Sequence, residues 1–177
     1  MQQILLHVNN EADFLEAVVA SCDDHPSITL VKGDALFCDT AECIVATGDS
    51  FGNMGNMGNM GNSKFDGIEE RVHRAIDDAA AAGWRGELPV GAAVVVQLQS
   101  SNRYLCYAPI IRNLEDANAG INAYLAMRGA LVACSAYNRI NTIAVPLLCH
   151  GGGNNVCNVI RQVQHAWDTF HVFPAFR

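Results

Sequence analysis

The chain has 177 residues, half of them apolar, which suits a single domain over residues 1–177 with a sizeable core and excludes general disorder. Formal net charge is −7, and the eleven Lys and Arg are scattered, so a nucleic-acid backbone is excluded as the main partner; neutral N–H groups can still hold a small anion. No apolar run approaches the ~20 residues that cross a bilayer and Met1-Gln2-Gln3-Ile4 lacks the basic flank of a signal peptide, so the expectation is a cytoplasmic protein without a membrane partner.

Ile4 to Val8 reads as a first strand. Asn10-Glu11-Ala12-Asp13 opens a helix, with an Asn cap and acids in the first turn, and Phe14, Ala17, Val18 and Ser21 keep its spacing up to the break at 22–26. Ile28 to Val31 and Cys43 to Ala46 are short buried strands. Residues 47–64 form a loop in which Gly-Asn-Met recurs at 52–54, 55–57 and 58–60. From 66 to 82, Ile68, Val72, Ala75, Ile76 and Ala79 form a helical stripe. Ala92 to Leu98 and Tyr104 to Ala108 are two strands of a hairpin that turns at 100–102. Asn118 to Tyr137 is an alanine-rich helix, Thr142 to Val145 a last strand, and Asn154 or Asn155 caps a final helix through Trp167. The order β-α-β-β-α-β-β-α-β-α predicts an α/β fold with a mixed sheet of about six strands covered on both faces.

Two strands end in glycine-rich loops that run toward helices, where backbone N–H groups favour phosphate. In the first, Gly48-Asp49-Ser50-Phe51-Gly52-Asn53, small residues let a ligand approach the backbone; the same residues also suit a tight turn between strand and helix. In the second, His150-Gly151-Gly152-Gly153-Asn154-Asn155, three glycines expose consecutive N–H groups before a helix, which points to an anion. It is neither a Walker A loop, lacking Lys-Ser or Lys-Thr, nor a GxGxxG fingerprint. Asp34, after Gly33 at a strand end, can either contact an adenine amine or sugar hydroxyl, or cap the segment 35–40. Asp66, Glu69 and Glu70 are either ordinary dipole partners of a helix or carboxylates able to activate water. The Gly-Asn-Met repeats are either a lid over a base or a repeat without a role. The seven cysteines, odd in number and without CxxC, read as free buried thiols, and Cys149-His150 is a poor nucleophile–base pair because sequence neighbours point apart. No metal and no cofactor is expected.

These motifs together resemble the macrodomain, the ADP-ribose-binding α/β/α module. Gly33-Asp34 is similar to its Gly-Asp strand end, whose Asp contacts adenine. Residues 44–49, Ile-Val-Ala-Thr-Gly-Asp, fall on its Ile-Val-Asn-Ala-Ala-Asn segment. Residues 146–151, from Pro146 through Cys149 to Gly151, fall on its Pro-x-Ile-Ser-Thr-Gly diphosphate loop. Ser50-Phe51-Gly52-Asn53-Met54, Pro89-Val90-Gly91, Ala108-Pro109-Ile110-Ile111-Arg112 and Asn122-Ala123-Tyr124 resemble a stand-alone subgroup from microbes and their viruses. Three departures stand out: Ala46 and Asp49 replace family asparagines, Gly-Asn-Met repeats replace a Gly-Gly-Gly, and Gly153 replaces an aromatic.

The resemblance implies a three-layer α/β/α domain that binds ADP-ribose, a related nucleotide or an ADP-ribosylated protein. The ligand would lie between the loops 47–64 and 147–155. It would be held by Asp34, Ala35, Gly48, Ser50, Phe51, Gly52, Asn53, Pro146, Cys149, His150, Gly151, Gly152, Gly153 and Asn154. Hydrolysis of an ADP-ribose bond would require Asp49 or Asp66 to orient or activate water. A non-catalytic module that sequesters a nucleotide, and a structural protein without ligand, stand as the alternatives.

Overall fold

The computed structural model describes residues 2–20, 25–54, 65–79, 85–99, 101–113, 120–149 and 155–172. Ten elements follow in chain order: β1 (Gln3–Val8), α1 (Glu11–Ala20), β2 (Ile28–Lys32), β3 (Cys43–Asp49), α2 (Ile68–Ala79), β4 (Val94–Gln97), β5 (Tyr104–Ile111), α3 (Asn122–Ser135), β6 (Thr142–Pro146) and α4 (Val156–Val172). A single 3₁₀ turn, Ala35–Phe37, lies between β2 and β3.

The six strands form one sheet in the order β2-β1-β6-β3-β5-β4. All neighbours are parallel except β4, which pairs antiparallel with β5 as the hairpin requires. The sheet is therefore mixed, and its central strands are apolar on both faces because both faces are covered. In β3, Ile44 and Ala46 face α2, while Cys43 and Val45 face the opposite core.

One core layer is α2, whose Ile68, Val72 and Ile76 recur every four residues and pack with Ile44, Leu105 and Tyr107. The other layer is formed by α1, α3 and α4. Helix α3 comes in closely because its buried face is small. A Cβ on Gly129 would stand 2.6 Å from the carbonyl oxygen of Gly91. Cys43, Cys106 and Cys134 are buried in this core from three different elements, with the Sγ atoms of Cys43 and Cys134 3.8 Å apart. They serve as small apolar packing groups.

The element boundaries move where local chemistry differs from periodicity. The first hairpin strand begins at Val94 rather than Ala92, because Gly91 takes φ +101° and leaves only an isolated Val90–Ala92 bridge. Strand β5 continues to Ile111, three residues beyond Ala108, by pairing with β3 up to Asp49. Helix α4 is capped by Asn155, whose Oδ1 accepts from the Asn158 N–H at 2.8 Å, and it continues past Trp167 to Val172. No helix among the described residues is long and apolar enough to cross a membrane.

The consequence for function is geometric. Strands β1, β2, β3, β5 and β6 all run the same way, so their C-terminal ends share one edge of the sheet. In open α/β sheets that edge is where ligands lie.

Candidate functional site

Strand β2 ends at Lys32. Gly33 follows with φ +127°, a conformation that suits glycine, and its N–H donates to the Val8 carbonyl at 3.0 Å. The turn carries Asp34 over the sheet edge. Its Oδ1 accepts from the Leu36 N–H at 2.9 Å and so caps the 3₁₀ turn. The capping role considered for Asp34 is thus present, and it occupies one carboxylate oxygen. Ala35 is buried beneath.

Strand β3 ends in a loop that folds back on itself. Asp49 is 6% exposed, and its carboxylate accepts three hydrogen bonds: Oδ1 from the N–H groups of Phe51 (2.9 Å) and Asn53 (3.1 Å), and Oδ2 from Asn53 Nδ2 (2.7 Å). The Asp49 N–H donates in turn to the Asn53 carbonyl at 3.2 Å. Tyr107, fully buried on β5, donates its hydroxyl to the Asp49 carbonyl at 2.6 Å. Burial, with Asp49 and Glu69 adding, pushes the Tyr107 hydroxyl far above its ordinary range, so it remains a donor.

Gly48 is needed by this closure. A Cβ there would lie 2.0 Å from the Asn53 carbonyl oxygen and 2.4 Å from the Tyr107 hydroxyl. Gly52, at φ +92°, packs against the His73 ring of α2. Ser50 is buried. Its N–H donates to the Arg112 carbonyl at 3.1 Å, its carbonyl accepts from Leu88 at 2.8 Å, and its hydroxyl has no partner among the described residues. Phe51 and Asn53 are exposed, and the Arg112 guanidinium stands 5.7 Å over the Phe51 ring. Arg112 is itself held by Glu87 through contacts of 2.8 and 3.2 Å. Asp66 is exposed just ahead of α2.

Strand β6 delivers the third group of residues. Pro146 pairs with His7 of β1, and Leu148 and Cys149 are buried beyond it. Cys149 holds φ +56°, the left-handed region that non-glycine residues seldom adopt and that clusters at functional turns. Burial pushes its thiol up to about 11, so it is protonated at neutral pH and unsuited to nucleophilic attack. His150, Gly151, Gly152, Gly153 and Asn154, and the repeats from Gly55 onward, lie outside the described residues.

At the ends of β1 and β6 lies a cavity of about 430 Å³, walled by Pro146 and Leu147 on one side and by Asn9, Asn10 and Asp13 on the other, with His7 among its lining residues. Asn10 caps α1, its Oδ1 accepting from the Ala12 N–H at 2.8 Å. His7 is 6% exposed, and neither ring nitrogen makes a hydrogen bond of good geometry among the described residues. Burial lowers its pKa; the nearby Asp34 carboxylate and Gly33 backbone oppose that shift without reversing it.

Two residues at this edge have no counterpart among the sequence-based candidates. Tyr107 reads in sequence as one more apolar strand residue. His7 could have been noticed as a lone titratable residue in an apolar strand whose register sets it beside the Gly33-Asp34 turn. Among the described residues no group of three His, Cys, Asp or Glu side chains could hold a metal ion.

The edge thus defines a class: a mixed α/β/α sheet with a cavity at the ends of two of its parallel strands, β1 and β6. Asp34 on β2 and Asp49 on β3 are separated by β1 and β6, a span of roughly 14 Å at ~4.8 Å per strand. The sequence matches no family model and no curated protein. Solved structures do match the fold. The macrodomain of Mycobacterium tuberculosis DarG superposes with a TM-score of 0.56 at 23% identity, covering 80% of this chain and 90% of that one. The macrodomain of Thermus aquaticus DarG superposes with a TM-score of 0.52 at 22% identity, covering 77% and 87%. The chain has the macrodomain fold.

Proposed function

We propose that the protein binds ADP-ribose, or a nucleotide built like it, across the shared strand edge. The observation that carries this reading is the crevice itself. A cavity of about 430 Å³ opens at the ends of β1 and β6, with β2 and Asp34 to one side and β3 and Asp49 to the other, so an extended ligand suits the edge better than a mononucleotide does. The macrodomain fold and the resemblance of residues 33–34, 44–54 and 146–151 to macrodomain motifs support the same ligand class. The diphosphate would be held by the N–H groups of residues 151–153, ahead of α4.

Binding without turnover by Asp49 is the form of this function that the geometry supports. A general base needs a carboxylate oxygen directed at a water, whereas both Asp49 oxygens accept from their own loop. Asp66, exposed ahead of α2, is the remaining carboxylate for hydrolysis.

Calorimetric titration with ADP-ribose, AMP and ribose 5-phosphate tests the proposal. ADP-ribose should bind more tightly than either fragment, and absence of ADP-ribose binding would refute the assignment. Asp34→Ala should weaken ADP-ribose by roughly 10- to 100-fold, the loss of one charge-assisted hydrogen bond, and leave ribose 5-phosphate unchanged. Asp34→Asn keeps an oxygen for the Leu36 N–H and separates the two roles of the residue. If the Asn variant binds ADP-ribose as the wild type does, Asp34 acts only as a cap. Incubation with an ADP-ribosylated protein then decides turnover: release that disappears in Asp66→Ala would establish hydrolysis.

A further inference from the structure

We infer that His7 reads the base of the bound nucleotide, making it a specificity-determining residue of the crevice. The inference rests on the nucleotide reading above and assigns a role within that site. Three observations meet at this side chain. His7 is 6% exposed, yet neither ring nitrogen makes a hydrogen bond of good geometry among the described residues, although the Gly33 backbone lies near enough to act on the ring. It lines the cavity at the ends of β1 and β6. It also lies close enough to Asp34, the residue proposed to meet adenine, for the carboxylate to act on its charge.

A buried polar group without a partner destabilises the free protein, and its presence calls for an explanation. Few positions in a central parallel strand would carry an imidazole when Leu or Val packs as well; the neighbouring inward residues of β1 are Ile4, Leu5 and Leu6. Burial keeps the ring neutral at neutral pH, so it presents one N–H donor and one acceptor. A purine edge offers the complement: adenine carries an amine donor beside a ring-nitrogen acceptor. Pro146 and Leu147 supply an apolar wall for the flat face of such a base. The tautomer would follow whichever ligand atom a ring nitrogen meets. Asp34 accepts only, so the two residues differ in kind: Asp34 requires an amine, and His7 pairs with either edge atom.

The test is His7→Phe, a swap of similar shape that removes both ring nitrogens. If His7 is kept for the ligand, the free variant should melt higher than the wild type, by roughly 2–4 °C. Its affinity for ADP-ribose should fall at least about tenfold, and its affinity for ribose 5-phosphate should be unchanged. His7→Gln, which restores a donor and an acceptor, should recover part of the loss. Nitrogen-15 spectra of the histidine rings in the wild type provide a readout without a variant: the His7 ring signals should move on adding ADP-ribose and not on adding ribose 5-phosphate. ADP-ribose affinity in His7→Phe within threefold of wild type, or unmoved His7 signals in the saturated wild type, would overturn the inference and leave nucleotide binding standing. Equal losses for both ligands would also overturn it, by making His7 structural. Absence of any ADP-ribose binding by the wild type would remove both readings together.

Discussion

Gly48→Ala should destabilise the protein by about 3–5 kcal/mol, lowering the melting temperature by roughly 10 °C. Gly→Ala at a relaxed position gains stability, about 0.4–1 kcal/mol, because the unfolded chain loses freedom. Gly48 is not relaxed in that sense, although its backbone angle is ordinary. The added methyl would fall 2.0 Å from the Asn53 carbonyl oxygen and 2.4 Å from the Tyr107 hydroxyl. The first obstacle is backbone, so it cannot be relieved by a rotamer change. The 49–53 loop would have to open, and with it the 3.2 Å bond from Asp49 N–H to Asn53 and the 2.6 Å bond from Tyr107. Thermal unfolding followed by circular dichroism measures the effect. A melting temperature within about 2 °C of wild type would show that the loop does not close on Gly48.

Asp49→Ala has the second large effect, about 2–4 kcal/mol, from a different cause. The substitution leaves the N–H groups of Phe51 and Asn53 and the Asn53 amide without their acceptor. Asp49→Asn is the informative companion. Its side-chain oxygen can still accept from the two backbone N–H groups, and only the contact with Asn53 Nδ2 turns from donor–acceptor to donor–donor. The Asn variant should therefore lose only about 1 kcal/mol. Chemical denaturation of both variants, with ADP-ribose titration alongside, separates two roles. A loop organiser is damaged severely by Ala and mildly by Asn in both measurements. A general base would lose hydrolysis equally in both variants while Asp49→Asn kept its stability.

The two variants also show where legibility in the sequence stops. Element order was readable because it depends on local periodicity: Ile68, Val72 and Ile76 repeat along one helix face, and Ile44 to Ala46 is too short and too apolar for anything but a buried strand. The hairpin between β4 and β5 was readable from its polar turn, and with it the mixed sheet.

What the sequence could not reveal is which groups meet across the sheet. From residues alone, Gly48 serves a ligand and a tight turn equally well; the carbonyl of Asn53 and the hydroxyl of Tyr107 standing over it decide for the turn. Asp49 reads as a replaced asparagine until three donors of its own loop are seen on its oxygens. His7 reads as one position in an apolar run until β1 is set between β2 and β6, which brings it beside Val31 and Pro146 and near the Asp34 carboxylate. Periodicity is a property of neighbours in the chain, and it determined the helices, the strands and the class of fold. Hydrogen-bond satisfaction and close approach depend on residues as far apart as Asp49 and Tyr107, so only the tertiary structure decided which polar groups are already used by the fold and which remain for a ligand.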